Sequence, residues 1–188
     1  MRRIVVTEFV SADGVMEDPG GAEGFRHGGW TFKFNDEAGM KYKLDETLGH
    51  DALLLGRVTY EGFASAWPGM TDDVGFAAKM NGMPKYVVSR TLGEATWNNS
   101  TILRGDLAQE VGALKAQDGG DILVAGSASL VRGLTDLGLV DEYRLMVFPI
   151  VLGGGKRLFD GIGDAATLEL VEAQPLGSGT VILTYRRA

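Results

Sequence analysis

Short apolar runs and amphipathic stretches alternate along this chain, and the alternation predicts its elements. Ile4 to Val10 reads as a buried first strand, broken at Ser11-Ala-Asp-Gly14, where Asp13-Gly14 is strong turn chemistry. Asp36 to Leu48 places Met40, Leu44 and Leu48 at a four-residue spacing and stops at Gly49, which is the pattern of a helix. Asp51 to Leu55 is a second buried strand; Gly56-Arg57 then opens a helix over 58–66 that Pro68-Gly69 ends. A short helix is expected over Asp73–Met80, strands over Lys85–Ser89 and Thr101–Leu103, and a helix from its cap at Asp106 to Gln117. Strand 121–125, helix 127–137 and strand 141–148 follow. Leu168–Ala173 and Thr180–Arg186, separated by Pro175 and Gly177-Ser-Gly179, form a terminal antiparallel hairpin. Strands that alternate with helices and then finish as β–β imply one α/β domain over 1–188. Its sheet is largely parallel, with an antiparallel edge and helices on both faces.

Between the first strand and the first helix, residues 15–34 are Gly-rich and carry Phe25, Trp30, Phe32 and Phe34. A loop of this length with aromatic content is expected to pack over something. The 28 glycines among 188 residues are roughly twice the usual share, without a period, and punctuate many short elements. A net charge of −7 with no basic stripe argues against nucleic acid as a partner. Arg2-Arg3 and Arg186-Arg187 lie near the chain ends and are read as solvated. The absence of cysteine excludes disulfides, thiolate metal sites and cysteine nucleophiles, and fits a cytoplasmic protein. No apolar run reaches the ~20 residues needed to cross a bilayer, so no membrane role is expected. His27 and His50 stand isolated, with solvent exposure as the default, and no metal site is expected. Of Trp30, Trp67 and Trp97, at least two are expected in the core.

The chemistry is expected where strands run into helices. Val124-Ala-Gly126-Ser127-Ala128 is a strand-to-helix junction that aims open backbone N–H groups and a helix dipole at one point, a natural phosphate seat. Ser127 is equally well read as a plain helix cap. Leu55-Gly56-Arg57-Val-Thr59-Tyr60 has the same design, and Val88-Ser89-Arg90-Thr91 ends a third strand. Three such junctions at adjacent strand ends point to a dinucleotide with several phosphates. Leu152-Gly153-Gly-Gly155 follows the long strand and lets backbone lie flat against a ligand. The G-x-G-x-x-G fingerprint is absent, which leaves a plain Rossmann or Walker reading unsupported.

Taken in order, these pieces resemble the dihydrofolate-reductase-like superfamily. Within it they are most similar to stand-alone relatives of the reductase domain of the bifunctional riboflavin-biosynthesis deaminase/reductase. The matching pieces are Ser11-x-Asp13-Gly14, Leu55-Gly-Arg-x-Thr-Tyr60, Val88-Ser-Arg90, Val124-x-Gly-Ser-Ala128, Leu139-Val-Asp-Glu142 and Pro149-x-Val-Leu-Gly-x-Gly-Lys156 with Leu158-Phe159. The resemblance implies a three-layer αβα sandwich on a mixed sheet of about eight strands, NADPH as hydride donor, a small heteroaromatic or conjugated substrate, and a homodimer. By position it implies cofactor phosphates at Gly56, Arg57 and Thr59, the 2′-phosphate at Ser89 and Arg90, and the pyrophosphate at Gly126, Ser127 and Ala128. The nicotinamide would lie along Val10, Ser11, Asp13, Gly14 and Val15; Leu152, Gly153 and Gly155 would also bind cofactor, and the substrate would lie between the loop 15–34, the helix 36–48 and the Leu152–Lys156 turn. Asp36 falls where the superfamily carries a substrate-orienting carboxylate, and a helix cap is the competing reading. The chain has no zinc deaminase domain, and its basic residues near the expected substrate, Lys33, Lys41, Lys43 and Lys156, form no obvious phosphate cluster. Folate reduction, and cofactor binding without turnover, are the rival functions.

Overall fold

The computed structural model describes residues 1–188. Its strands are β1 (Ile4–Ser11), β2 (Ala52–Gly56), β3 (Lys85–Val88), β4 (Ser100–Leu103), β5 (Ile122–Val124), β6 (Glu142–Phe148), β7 (Leu168–Pro175) and β8 (Val181–Arg187). Its helices are α1 (Glu37–Leu48), α2 (Arg57–Ala66), α3 (Phe76–Gly82), α4 (Leu107–Ala116) and α5 (Ala128–Asp136). The strands make one sheet in the order β4-β3-β2-β5-β1-β6-β8-β7. β8 alone runs against the rest, pairing antiparallel with β6 on one side and β7 on the other.

Strand alternation splits the core into layers. Ile4, Val6, Leu54, Ile122 and Val124 pack with Val111 and Leu114 of α4 and with Leu130, Val131 and Leu134 of α5. Val5, Leu53, Leu55, Val87 and Leu123 face the other way, onto Tyr60 of α2, Met80 of α3 and Trp97. A third cluster joins Val15 and Trp30 of the loop after β1 to Met146, Phe148, Leu152, Leu176 and Ile182. This is the expected three-layer αβα sandwich.

Three local readings change, while the Gly-rich segment 15–34 packs over the third cluster as expected. Asp18 is buried and its carboxylate accepts the N–H groups of Glu23 and Phe25 at 3.0 and 3.1 Å, while Trp30 Nε1 donates to Glu17 O at 2.9 Å and starts a 3₁₀ turn over Trp30–Phe34. α3 begins at Phe76 and not at Asp73, because the Asp72 carboxylate collects the N–H groups of Val74, Phe76 and Ala77 and holds the chain in a turn before the helix. His50 is buried, with Nδ1 2.5 Å from Glu46 O. The terminal arginines are tied in: Arg2 Nε donates to Gly120 O at 2.7 Å, Arg3 pairs with Asp121, and Arg3 and Arg186 both reach Glu142 at 3.2 Å.

α1 departs most from its pattern. Met40 and Leu48, two of its three periodic apolar residues, are exposed, and the helix buries Glu46 and Thr47. The β1–β6 register sets Thr7 beside Arg144. Glu46 lies over that pair, accepting from Thr7 Oγ1 at 2.9 Å and from Lys43 Nζ at 2.5 Å, with Arg144 at 3.5 Å. Burial works to raise the Glu46 carboxyl, but Lys43, Thr7 and Arg144 outweigh it and hold it below the usual carboxylate range.

Candidate functional site

β2 and β5 are neighbours, with Leu54 opposite Val124, and their carboxyl ends feed α2 and α5 side by side. Gly56 is the N-cap of α2 and Ser127 that of α5, and neither helix start has a side-chain cap. Ser127 Oγ lies 2.9 Å from Ser129 Oγ instead. The plain-cap reading of Ser127 therefore has no bond behind it, and the first-turn N–H groups of both helices are left for a ligand or solvent. The two junctions are in contact. Gly56 N donates to Gly126 O at 3.1 Å, and a Cβ at Gly56 would collide with the Ser127 side chain. Gly126 has φ 96° and precedes a cis peptide bond to Ser127; a Cβ there would lie 2.7 Å from Thr59 Oγ1. Gly56, Thr59, Gly126, Ser127 and Ala128 thus form one cradle.

One strand further out, β3 ends at Val88 opposite Gly56. Ser89 Oγ accepts the N–H groups of Thr91 and Leu92 at 3.2 and 2.9 Å, so that side chain braces the turn that presents exposed Arg90. Arg57, also exposed, pairs with Glu61 at 2.9 Å.

The second predicted group assembles on the far side of β1. Asp13 accepts from Ser11 Oγ at 2.7 Å and from the N–H groups of Leu152 and Gly153 at 3.1 and 2.9 Å. These bonds pull its carboxyl down to about 2. Gly14 O accepts from Leu158 N, Val15 bridges to Arg157, and buried Val10 sits in the core cluster under α5. Gly155 has φ 117°, and a Cβ there would lie 2.8 Å from Val15 Cγ1 and 3.0 Å from Phe25, so this glycine serves loop packing. Ser11, Asp13, Gly14, Val15, Leu152, Gly153 and Gly155 are one fastening between the loop after β1 and the glycine triplet.

A cavity of about 400 Å³ is lined by Thr59 and Gly126 of the cradle and by Met16 and Pro19 of the loop just beyond the fastening, whose own residues do not reach it. It opens where β5 stops at Val124 while β1 runs on to Ser11. Phe63, Trp67, Phe76 and Met80 form an apolar wall, and Thr7, Glu8, Lys43 and Thr47 add polar groups. Trp67 is thus the tryptophan that reaches the cavity, while Trp30 and Trp97 are buried. A second cavity, about 550 Å³, shares Phe9, Lys43 and Phe76 with the first and continues outward along Phe32, Phe34, Met40 and Leu44. Two residues of the α1 apolar stripe, Met40 and Leu44, therefore line a cleft, while Leu48 stays outside it. Lys43 Nζ sits 5.2 Å from the Phe9 ring centroid and 2.9 Å from Thr7 Oγ1, a fixed cation at the junction of the two cavities.

Asp36 borders the outer cavity as the N-cap of α1. Its Oδ1 accepts from Gly39 N and its Oδ2 from Ser178 N, both at 2.6 Å, and these bonds lower its carboxyl. Both oxygens are engaged by backbone in the way a cap requires. Glu8 was not among the residues singled out from sequence. It is buried at the inner cavity beside Gly126, with Oε1 lacking any partner. An acid inside an otherwise apolar strand run was the available signal.

An eight-stranded, mainly parallel sheet with β8 reversed and helices on both faces is the dihydrofolate-reductase-like architecture. Solved structures agree on this. The putative riboflavin biosynthesis protein of Shewanella sp. PV-4 superposes with a TM-score of 0.76 at 21% identity, covering 99% of both chains. The dihydrofolate reductase of Enterococcus faecalis, complexed with NADP(H), superposes with a TM-score of 0.64 at 14% identity, covering 98% of this chain and 96% of that one. The family model for the RibD C-terminal domain matches residues 2–182, and the chain belongs to that family, a family of reductase-like domains. The uncharacterized protein YyaP of Bacillus subtilis (strain 168) is 31% identical over 187 residues, covering 98% of this chain and 94% of that protein.

Proposed function

We propose that this protein is an NADPH-dependent reductase that transfers a hydride to a small heteroaromatic or conjugated substrate. The observation that carries this reading is the pair of uncapped helix starts meeting at Gly56 and Gly126 directly beside an aromatic-walled cavity. The residues fit the cofactor. Two uncapped helix N-termini supply N–H donors and favourable dipoles for phosphates. A cradle that any Cβ at Gly56 or Gly126 would fill leaves backbone room for a pyrophosphate. Gly56, Arg57 and Thr59 would hold one phosphate group and Gly126, Ser127 and Ala128 the other. Arg90, on the turn braced by Ser89, would meet a 2′-phosphate. Val10 to Val15, with Leu152 and Gly153, would bound the nicotinamide. When bound, NADPH supplies the hydride, and the chain's own work is to bind, orient and exclude water.

The substrate would occupy the cleft that runs from Thr59 and Phe63 out to Phe34 and Met40. Phe9, Phe63, Trp67 and Phe76 offer ring faces to a flat molecule, and the threonine hydroxyls offer hydrogen bonds. A homodimer belongs to the same proposal. β6 is paired on both sides, so its apolar end is explained by the sheet interior. Of the two edge strands, β4 and β7, it is β7 that presents large apolar side chains, Leu170 and Val171, each about half exposed.

The test is direct. NADPH should raise the melting temperature, and its oxidation at 340 nm should follow addition of a reducible substrate from a panel of pterins, pyrimidines and quinones. A protein whose melting point NADPH leaves unmoved is not this reductase.

A further inference from the structure

The polar groups of the cleft bear on what it accepts. Lys43 is the one cation lining the inner cavity, and Glu46 at 2.5 Å and Thr7 at 2.9 Å already engage it. In the outer cavity Lys41 pairs with Asp45 at 2.6 Å. The acids Glu8 and Glu23 also line the inner cavity. The basic residues of the loop that make no ion pair, Arg26, His27 and Lys33, line a separate cavity of about 280 Å³ against Ile150–Leu152, which shares no residue with the cleft. A phosphorylated substrate would bring two negative charges into a cleft with no free cation, a costly arrangement in a partly dry site.

Glu8 is the second observation. It stands on β1 past the end of β5, opposite Leu145 of β6 and between Val6 and Val10 on its own strand face. No arginine or lysine forms an ion pair with it, and one carboxyl oxygen is sealed from solvent without a partner. Glu46 also leaves Oε1 without a hydrogen bond, but Arg144 stands 3.5 Å from that atom and Thr7 and Lys43 hold the other oxygen. Glu8 has an orphaned oxygen at a cavity wall and no ion pair at all, and that combination calls for a functional account. Lys43 of α1 and Glu23 of the loop line the same cavity; α2, α3 and the residue after β5 contribute Thr59, Phe63, Phe76, Met80 and Ala125, none of them ionisable near neutrality. Burial pushes the Glu8 carboxyl up to about 8, against the pull of Lys43 and of the Gly126 N–H, so it carries a proton at neutral pH.

Building on the reductase reading, we propose that the cleft takes an uncharged conjugated substrate bearing a carbonyl or ring imine and no phosphate, and that Glu8 is the catalytic acid that protonates it. The electrophilic end of the substrate's conjugated system accepts the hydride equivalent of reduced nicotinamide, and the π pair moves through that system to the carbonyl oxygen or ring nitrogen at its other end. The heteroatom takes the proton as the O–H bond of Glu8 breaks and a new O–H or N–H bond forms. Glu8 is left as a carboxylate and regains its proton from water. The balance is substrate, NADPH and one proton giving reduced substrate and NADP⁺.

Two readouts test this on the full-length protein. In protein carrying ¹³C at the glutamate carboxyl, one resonance should titrate near pH 8, far from ordinary carboxylates, and be missing from Glu8→Gln. In turnover, three uncharged probes (menadione, 7,8-dihydropterin and riboflavin) are compared with two phosphorylated ones, flavin mononucleotide and uridine monophosphate. Riboflavin and flavin mononucleotide differ by the phosphate alone. The proposal expects NADPH oxidation with at least one uncharged probe, a kcat/KM that falls as pH rises through about 8, and a Glu8→Gln variant that loses this limb and at least 100-fold in rate. That variant should bind NADPH like wild type. If Glu8→Gln does not fold, Glu8→Asp replaces it and should keep the limb at a reduced rate. A glutamate spectrum with no resonance above the ordinary range, a variant with the wild-type profile, silence from all uncharged probes, or preference for a phosphorylated probe each overturns the proposal. Absence of any NADPH thermal shift is a different result, and overturns the reductase reading itself.

Discussion

Gly56 donates its N–H to the carbonyl of Gly126 at 3.1 Å, and that bond ties the starts of two helices into one cradle. The cradle is built of backbone, so a side chain there obstructs more than it destabilises. Gly126→Ala should cost about 1–2 kcal/mol for a Cβ at positive φ, and Thr59 must shift to admit it. The folded variant should then lose the rise in melting temperature that NADPH gives by binding the native state. Gly62→Ala is the control, since its Cβ meets open space on α2 and the shift should persist. Equal shifts in all three proteins would place the pyrophosphate elsewhere.

Arg90 is exposed on the turn after β3, with Ser89 spent on holding that turn. If it meets a 2′-phosphate, the cofactor preference is NADPH over NADH, because guanidinium pairs with phosphate in two parallel bonds. Arg90→Ala should weaken NADPH by about 1.5–3 kcal/mol, the range for a charged hydrogen bond, and leave NADH nearly unchanged. Fluorescence titration of both cofactors decides it, and equal losses would remove the assignment.

Much of this was legible in the sequence because it rests on local rules. The apolar runs at Ile4, Leu53 and Ile122 found the parallel strands, and the glycines at 56 and 126 found the cradle. What escaped reading rests on contacts between distant residues. Glu46 is buried because Thr7, Lys43 and Arg144 converge on it from three elements, so α1 hides a polar face and turns Met40 and Leu44 to the cleft. Glu8 registered only as an interruption of an apolar run, since nothing local shows that β5 stops short and leaves it at a cavity wall. Asp13 was placed near the nicotinamide, yet its bonds to Leu152 and Gly153 span more than a hundred residues and could be seen only in three dimensions.

Stability should respond to pH at both ends. The Glu8 carboxyl is raised from 4.5 to about 8, so between those values the folded protein keeps a proton that the unfolded chain releases. Its contribution is complete below 4.5 and is lost as pH rises through 8. The Asp13 carboxyl is lowered from 3.8 to about 2, so its contribution holds above 3.8 and is lost as pH falls through 2. Urea midpoints measured from pH 3 to 9 should therefore fall on the alkaline side in wild type and much less in Glu8→Gln. Asp13→Asn should lessen the fall on the acid side without abolishing it, since Glu46 and Asp36 are also held low, and should leave the alkaline side as in wild type. A Glu8→Gln curve parallel to wild type above pH 6 would contradict the raised carboxyl.

The proposed homodimer has a clear readout. Light scattering at micromolar concentration should give about twice the 20.1 kDa chain mass. With β7 as the contact edge, Leu170→Lys combined with Val171→Lys should return the mass to that of one chain, since charge on an edge strand discourages pairing. A monomeric wild type rejects the proposal, and a double variant that stays dimeric moves the interface away from β7.

Asp36 separates two roles that share one position. As substrate group it would orient an N–H at the mouth of the cleft, and Asp36→Asn should cut kcat/KM by roughly 10- to 100-fold while NADPH binding stays intact. As cap it holds the start of α1 to the loop before β8, through Gly39 and Ser178. Asparagine caps about as well as aspartate, but its amide can serve only one of these two N–H donors as acceptor and turns its own N–H toward the other. The cap role thus predicts a small loss of melting temperature, a local change at Ser178, and a kcat/KM ratio near one. It also predicts that Asp36→Ser, which still caps but cannot reach across to Ser178, melts lower than Asp36→Asn with turnover unchanged. Because both carboxylate oxygens are already engaged by backbone N–H groups, the expected outcome is the cap. A kcat/KM loss of tenfold or more in Asp36→Asn, with the melt and the NADPH affinity preserved, would return Asp36 to the reacting groups.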